Sequence, residues 1–309
     1  MKIFTHNFNP ASNSGPNKFT RQLFRTLSKN HNVEVTNNQN ESDIEFCLIQ
    51  QIKHKIKPTV LRLDGIYFNS EQDFKNQNTP IRFSYDNADA VIFQSNFNKN
   101  LTETWFGKHK NSHIIHNAPD VDLINKANPN YWDQKFGKDV EVWTCASSWR
   151  PHKRLSENIQ YFLDYAPKDS IFVIAGSIGM DNAKSIIKNN KRIHLTGELD
   201  YFSLLSLYRR STTFLHLAYL DHCPNVVVDA QAAGCKVICS SSGGTKEIVN
   251  NGIVIKEDVW DYKPLKLYHP PKMNFNNFYE VNNSKNNTSI VKCASKYYNI
   301  MLEVCNAKK

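Results

Sequence analysis

The feature that most constrains this chain is an alternation. Short apolar runs such as Ala90-Val91-Ile92-Phe93 and Ile171-Phe172-Val173-Ile174-Ala175 recur along it, each separated from the next by a loop or helix-length segment. Uninterrupted apolar runs of this length fit strands buried on both faces, and alternation with helical segments calls for parallel strands joined by crossovers. In the first half, Lys2-Ile3-Phe4-Thr5, Ile44 to Ile49, Thr59 to Leu63, Ala90 to Phe93 and Ile114-Ile115 read as strands. Phe19, Leu23 and Leu27, at helical spacing behind Pro16, read as the first crossover helix. The second half repeats the pattern with strands at 140–146, 171–175, 192–195, 212–217 and 236–239 and helices at 181–189, 201–210 and 225–233. A chain of 309 residues exceeds what one core usually organises. The expectation is therefore an α/β protein of two doubly wound domains.

Between them, residues 118–139 carry Pro119, Pro129 and many polar side chains and read as a connection. Residues 263–288, rich in Pro and Asn, read as a long surface loop, and Ile290 to Val304 as a closing amphipathic helix. No apolar run approaches the ~20 residues that a membrane helix needs, and MKIFTHNFNP has no signal-peptide pattern. The expected location is the cytoplasm. A net charge of +9 suits an anionic partner such as a phosphorylated small molecule or an anionic membrane touched peripherally, although no amphipathic anchor stands out. The aromatic residues fall at strand and helix periodicity rather than between basic residues, so nucleic-acid binding is not expected. Seven cysteines without a C-x-x-C pair indicate neither a disulfide framework nor a zinc site.

Open parallel sheets bind ligands beyond the carboxyl ends of their strands. The loop Ser147 to Arg154 follows one such strand and places Arg150, Lys153 and Arg154 before a helix, a combination suited to a diphosphate. In Asp221-His222-Cys223-Pro224-Asn225-Val226-Val227-Val228-Asp229, two carboxylates lie about two helical turns apart. Each can accept a pair of hydroxyls from a sugar or ribose. Asp221 alone is equally a helix cap and Asp229 alone a solvated helix residue. Gly243-Gly244-Thr245-Lys246-Glu247 follows the next strand and admits either a close ligand approach or a simple turn.

Taken together, these pieces resemble the retaining glycosyltransferases of family 4, the group 1 glycosyltransferases of GT-B fold. The resemblance is strongest from Trp143 to Val249 and rests on Asp221…Asp229 at the spacing of that family's E-x7-E, followed by Gly243-Gly244-x-x-Glu247. Both family glutamates are replaced by aspartate. The resemblance implies two Rossmann-like domains facing a central cleft: an acceptor domain over 1–120 with helix 290–305 crossing back onto it, and a donor domain over 138–262. It implies a hexosyltransferase that moves a sugar from a UDP- or GDP-linked donor to a glycan, lipid-linked or small-molecule acceptor without a metal cofactor. Arg150 and Lys153 would neutralise the diphosphate, and Asp221 would face the donor sugar. His222, Cys223, Pro224 and Asn225 would line the sugar and phosphates, and Asp229 would hold the ribose. Gly15 would lie near the phosphates, and Gly197 with Leu199 near the base. Asp64 stands where many members carry a histidine near the reacting centre and joins Arg150, Lys153 and Asp221 as a catalytic candidate. Ser95 and Asn96 would face the acceptor, and Asn117 matches the asparagine that ends the N-terminal domain.

The triplet Asp120-Val121-Asp122 has the form of the metal site of the other glycosyltransferase fold, but it lies at the start of the connection, so no metal site is expected. Two alternatives stay open: a catalytically weak GT-B-like protein that binds a nucleotide sugar or glycan, and a GT-B-fold sugar-nucleotide epimerase.

Overall fold

A computed structural model describes residues 1–177, 187, 190–283 and 288–307. The helix expected at 181–189 lies outside the described residues except for Ile187, as does most of loop 176–180. The chain divides into two compact units. The first comprises Met1–Ala118, Asp261–Leu265 and Thr288–Lys309; the second comprises Pro119–Trp260 and Lys266–Asn287.

The first unit carries a wholly parallel six-stranded sheet of order β2-β1-β3-β4-β5-β6. Its strands are β1 (Lys2–His6), β2 (Glu34–Thr36), β3 (Ile44–Leu48), β4 (Thr59–Leu63), β5 (Ala90–Phe93) and β6 (Ser112–Ile114). Helix α1 (Gly15–His31) begins with Pro16 in its first turn and buries Phe19, Leu23 and Leu27, each worth about 1.5–3 kcal/mol against exposure. Helices α2 (Phe74–Asn87) and α3 (Asn96–Phe106) follow, the latter capped by Ser95. The closing helix of this unit (Ile290–Asn306) buries Ile290, Ala294, Tyr297 and Met301 in the same core as Leu23 and Leu27 of α1.

The second unit holds a seven-stranded sheet of order β13-β12-β11-β10-β7-β8-β9. Its strands are β7 (Val142–Ala146), β8 (Ile171–Ala175), β9 (Ile193–Gly197), β10 (Thr213–His216), β11 (Lys236–Ser240), β12 (Asn251–Ile255) and β13 (Phe278–Asn282). All pair in parallel except β12 with β13. Its helices among the described residues are α4 (Val121–Lys126), α5 (Asn130–Phe136), α6 (Leu155–Tyr165), α7 (Tyr201–Arg210) and α8 (Asn225–Ala232); the closing helix of the first unit is α9.

Strands β2 and β12 were not among those expected, and two further segments depart from the sequence reading. Residues 118–139 are not a bare connection: α4 and α5 send Ile124 and Trp132 into the core of the second unit. Residues 263–288 are not loop throughout, because β13 extends the sheet as an antiparallel edge strand. The chain also returns to the first unit at Asp261–Leu265, where Trp105 Nε1 donates to the Tyr262 carbonyl. None of the seven cysteines is in a disulfide. No described helix is long and apolar enough to cross a membrane.

Candidate functional site

In the second unit the strand order reverses direction at β7, with β8 and β9 on one side and β10 to β13 on the other. The crevice beyond the carboxyl ends at such a reversal is where open parallel sheets take ligands. The loop after β7 supplies Arg150 and Lys153, and the loop after β10 supplies Asp221 to Pro224. They meet: Lys153 Nζ lies 2.6 Å from Asp221 Oδ2.

Asp221 is held on several sides. His216, at the end of β10, places its Nε2 3.0 Å from the same Oδ2, and the His222 amide donates to Oδ1 at 2.9 Å. Burial pushes this carboxyl up, but Lys153 and His216 together outweigh it and hold the group well below the usual carboxylate range. Asp221 is therefore an anion. The imidazoles nearby go the other way. Burial, reinforced by Lys153 and Arg150, takes His152 down to about 3, and burial takes His222 to about 4. His216 is also lowered, by burial first. Near neutral pH these rings add no positive charge, so Arg150 and Lys153 carry it.

Gly243 closes this corner. Its φ is +76°, and a Cβ there would overlap the backbone of Asp221. The Gly244 amide donates to the Asp221 carbonyl at 2.7 Å. The glycine pair thus braces the acidic loop. Leu220, at φ +55°, donates its amide to Ser242 Oγ in the same brace.

The three cations of loop 147–154 separate. Arg150 is exposed and makes no ion pair among the described residues. Lys153 is part-buried against Asp221. Arg154 is a correction: it does not face a ligand. At φ +53° it turns inward, fully buried, and forms a two-pronged pair with Glu257 at 2.9 and 2.7 Å, with Pro271 accepting a further bond at 2.7 Å.

Asp229 lies on α8 and is buried, its Oδ2 accepting the Tyr201 hydroxyl at 3.0 Å. Asn225 opens α8 behind Pro224, so the amides of the first turn point back toward the Asp221 loop. Cys223 is buried in the core beneath. Gly197, at φ +68°, ends β9; Leu199 beyond it packs on the same core.

The first unit gathers a second polar cluster. Arg62, inside β4 and fully buried, donates through Nε to Asp64 Oδ1 at 2.7 Å and through Nη2 to Asn117 Oδ1 at 3.2 Å. Asn117 donates in turn to Gln94. Burial raises the Asp64 carboxyl, and Arg62 only partly opposes it. Ser95 caps α3 and Asn96 begins it. Gly15 is the exposed first residue of α1.

Asp120 caps α4, its Oδ1 accepting the Leu123 amide at 3.0 Å, so this half of the Asp-x-Asp triplet has a local role. Among the described residues no three His, Cys, Asp or Glu side chains come together as metal ligands would.

Sequence reasoning passed over His216 and Tyr201. For His216 a signal existed: one polar side chain ends the buried run Thr213-Phe214-Leu215. For Tyr201, an aromatic at a helix start, there was none.

The family model for glycosyl transferases group 1 matches residues 130–261, less than half of the chain. No curated protein matches. Among solved structures, Alr3699/HepE from Anabaena, in complex with UDP and glucose, is similar with a TM-score of 0.68 at 15% identity, over 98% of this chain and 100% of that one. AviGT4, a glycosyltransferase involved in avilamycin A biosynthesis, is similar with a TM-score of 0.65 at 12% identity, over 99% and 98%. WaaG, a glycosyltransferase involved in lipopolysaccharide biosynthesis, gives 0.62 at 11%, over 99% and 94%. At these identities the likeness is one of fold: α/β with parallel-sheet, Rossmann-like domains, as in GT-B glycosyltransferases.

Proposed function

We propose that this chain is a retaining glycosyltransferase of family 4. It transfers a hexose-type sugar from a UDP- or GDP-linked donor to a glycan, lipid-linked or small-molecule acceptor, without a metal. The observation that carries the reading is the meeting of Lys153 and Asp221 across the strand-order reversal, with Arg150 exposed beside them. The group 1 match over 130–261 and the UDP and glucose complex of HepE support it.

In this reading Arg150, Lys153 and the first-turn amides of α8 receive the diphosphate, and Asp229 receives the ribose hydroxyls. Asp221, with the backbone of His222 to Asn225, receives the sugar, while Gly197 and Leu199 border the base and Gly15 approaches the phosphates. Asp64 orients the acceptor or the sugar. The anomeric carbon–phosphate oxygen bond breaks and its electron pair stays on the nucleoside diphosphate. The acceptor hydroxyl attacks the same face and passes its proton to the departing phosphate. Negative charge grows on that phosphate, so fixed cations favour the transition state over the ground state. They do what a divalent ion does elsewhere.

A second reading, nucleotide-sugar binding without turnover, is favoured by one observation: Lys153 and His216 already occupy Asp221, which is one methylene shorter than the family glutamate. The test is a thermal-shift panel of nucleoside diphosphates and their sugars with and without EDTA, followed by transfer assays whose product anomer is read by NMR. Stabilisation by one nucleotide, insensitive to EDTA and lost in Asp229→Ala, with a retained anomeric configuration, is the expected result. Stabilisation without transfer to any acceptor would leave the binding reading; dependence on Mg²⁺ or Mn²⁺ would overturn the metal-free one.

A further inference from the structure

The crossover from β3 to β4 contains no helix. Residues 50–57 run back to the start of β4 as an irregular segment, Gln50-Gln51-Ile52-Lys53-His54-Lys55-Ile56-Lys57. Its backbone is nonetheless fixed from beneath. Buried Glu45 accepts the amides of Ile56 and Lys57 at 2.9 and 3.0 Å, and Gln39 donates to the His54 carbonyl. Ser84 of α2 accepts the Gln51 amide at 2.8 Å. A buried carboxylate is a costly anchor for a surface loop unless its hydrogen bonds are complete. Here they are: His6, Gln39 and Thr59 take up its remaining capacity.

What this fixed segment displays is aliphatic and cationic. Ile52 and Ile56 are 58% and 50% exposed, and Phe83, next to Ser84 on α2, is 54% exposed. No acidic residue occurs between Phe46 and Leu63. Lys55 is taken up by Asp89 and the Asn87 carbonyl, and Asp86 by Arg82, so the nearby carboxylates are neutralised. That leaves Lys53, His54 and Lys57 around the two isoleucines; the Lys53 ammonium also rests 5.1 Å over the Phe4 ring.

We propose that residues 50–57 form a docking surface for an anionic lipid bilayer. Isolated aliphatic side chains on a rigid backbone insert at the headgroup boundary, while interleaved lysines meet lipid phosphates. A nucleic acid would use the lysines but gain nothing from Ile52 and Ile56. The surface deepens the lipid-linked branch of the proposed function but is independent of catalysis, because docking needs neither donor nor turnover.

The test is co-sedimentation of the full chain with vesicles of phosphatidylcholine alone and of phosphatidylcholine mixed with phosphatidylglycerol. Binding to the anionic vesicles only is expected, weakened about tenfold or more in Ile52→Ser/Ile56→Ser and by added salt in Lys53→Ser/Lys57→Ser less than in the parent. These positions are at the surface, so the melting temperature and its nucleotide-induced shift should stay unchanged. A lost nucleotide shift in the parent would count against the transferase reading alone. Equal binding to neutral vesicles, or binding indifferent to the isoleucine changes, overturns the proposal. So does a dimer in light scattering that dissociates in the isoleucine variant, or duplex DNA binding that depends on the lysines only.

Discussion

At the carboxyl end of β4, Asp64 meets Arg62; beyond β10, Asp221 meets Lys153. The partner of Asp64 is two residues before it, inside β4, and its guanidinium also holds Asn117 and lies 4.0 Å over the Phe19 ring. The partner of Asp221 arrives from a loop 68 residues earlier and keeps 19% of its side chain exposed, against 1% for Arg62. The outcomes are opposite. Burial lifts Asp64 despite its arginine, whereas Lys153 and His216 together depress Asp221 despite its burial. A planar fork buried within a strand is scaffold; a point charge on a part-exposed loop can change partners when a phosphate arrives. Within one loop the same contrast separates Lys153 from Arg154, whose pair with Glu257 is scaffold of the first kind.

The largest effect expected from this contrast is on folding. Arg154→Ala leaves Glu257 buried and uncompensated and should cost about 3–5 kcal/mol in chemical denaturation, with nucleotide affinity unchanged in the fraction that stays folded. Lys153→Ala should do the reverse. Its melting temperature should hold within a few degrees, while the transfer rate with the donor found by thermal shift falls by about 10²–10³. A matching change, Arg62→Lys, should lower stability and leave nucleotide affinity alone; if affinity fell too, the division into scaffold and exchangeable pairs would fail.

Asp229→Ala removes a charged acceptor that Tyr201 already holds. Calorimetry should show nucleoside diphosphate binding weakened by about 1.5–3 kcal/mol, with little effect on a ligand lacking ribose. The smallest effect is on pH dependence. His152 and His222 have folded values of about 3 and 4 against about 6.5 when unfolded. Below about pH 6.5 the unfolded chain therefore binds protons that the folded chain refuses, and stability falls with acidification. Each ring contributes at most about 1.4 kcal/mol per pH unit. Between pH 6.5 and 4.5 this precedes any loss from Glu45, which is lowered to about 2 and contributes only as pH drops below its unfolded value. Melting curves across that window should be flatter for His152→Gln; an unchanged slope would mean that the ring is not buried as a neutral group.

The strands buried on both faces were legible because most of their side chains are apolar, Glu45 of β3 and Arg62 of β4 being buried exceptions: β3, β4, β5, β8 and β11 lie within about a residue of their sequence positions. The edges were not. β2 is three residues long and largely exposed, and β13 exposes Phe278 and Tyr279, so neither carries a burial pattern. The helices α4 and α5 were hidden because a single buried residue each, Ile124 and Trp132, stands in a polar stretch. At the site, Lys153 with Asp221 followed from loop position after strands, but three cations in a row look alike as letters. Only the left-handed backbone at Arg154 and a carboxylate 103 residues away distinguish it.

The parallel bridge between Asp221 and Gly243 makes the interval between these motifs a ruler. One helix, one turn and one strand must together span the gap and bring the glycine back against the aspartate. A residue inserted into α8 or β11 would rotate or slide everything after it, and the brace would miss its mark. An insertion in an exposed turn outside that interval leaves this spacing unchanged. Length in that interval is therefore as much a part of the site as its side chains, and laboratory deletions there should be harder to tolerate than substitutions.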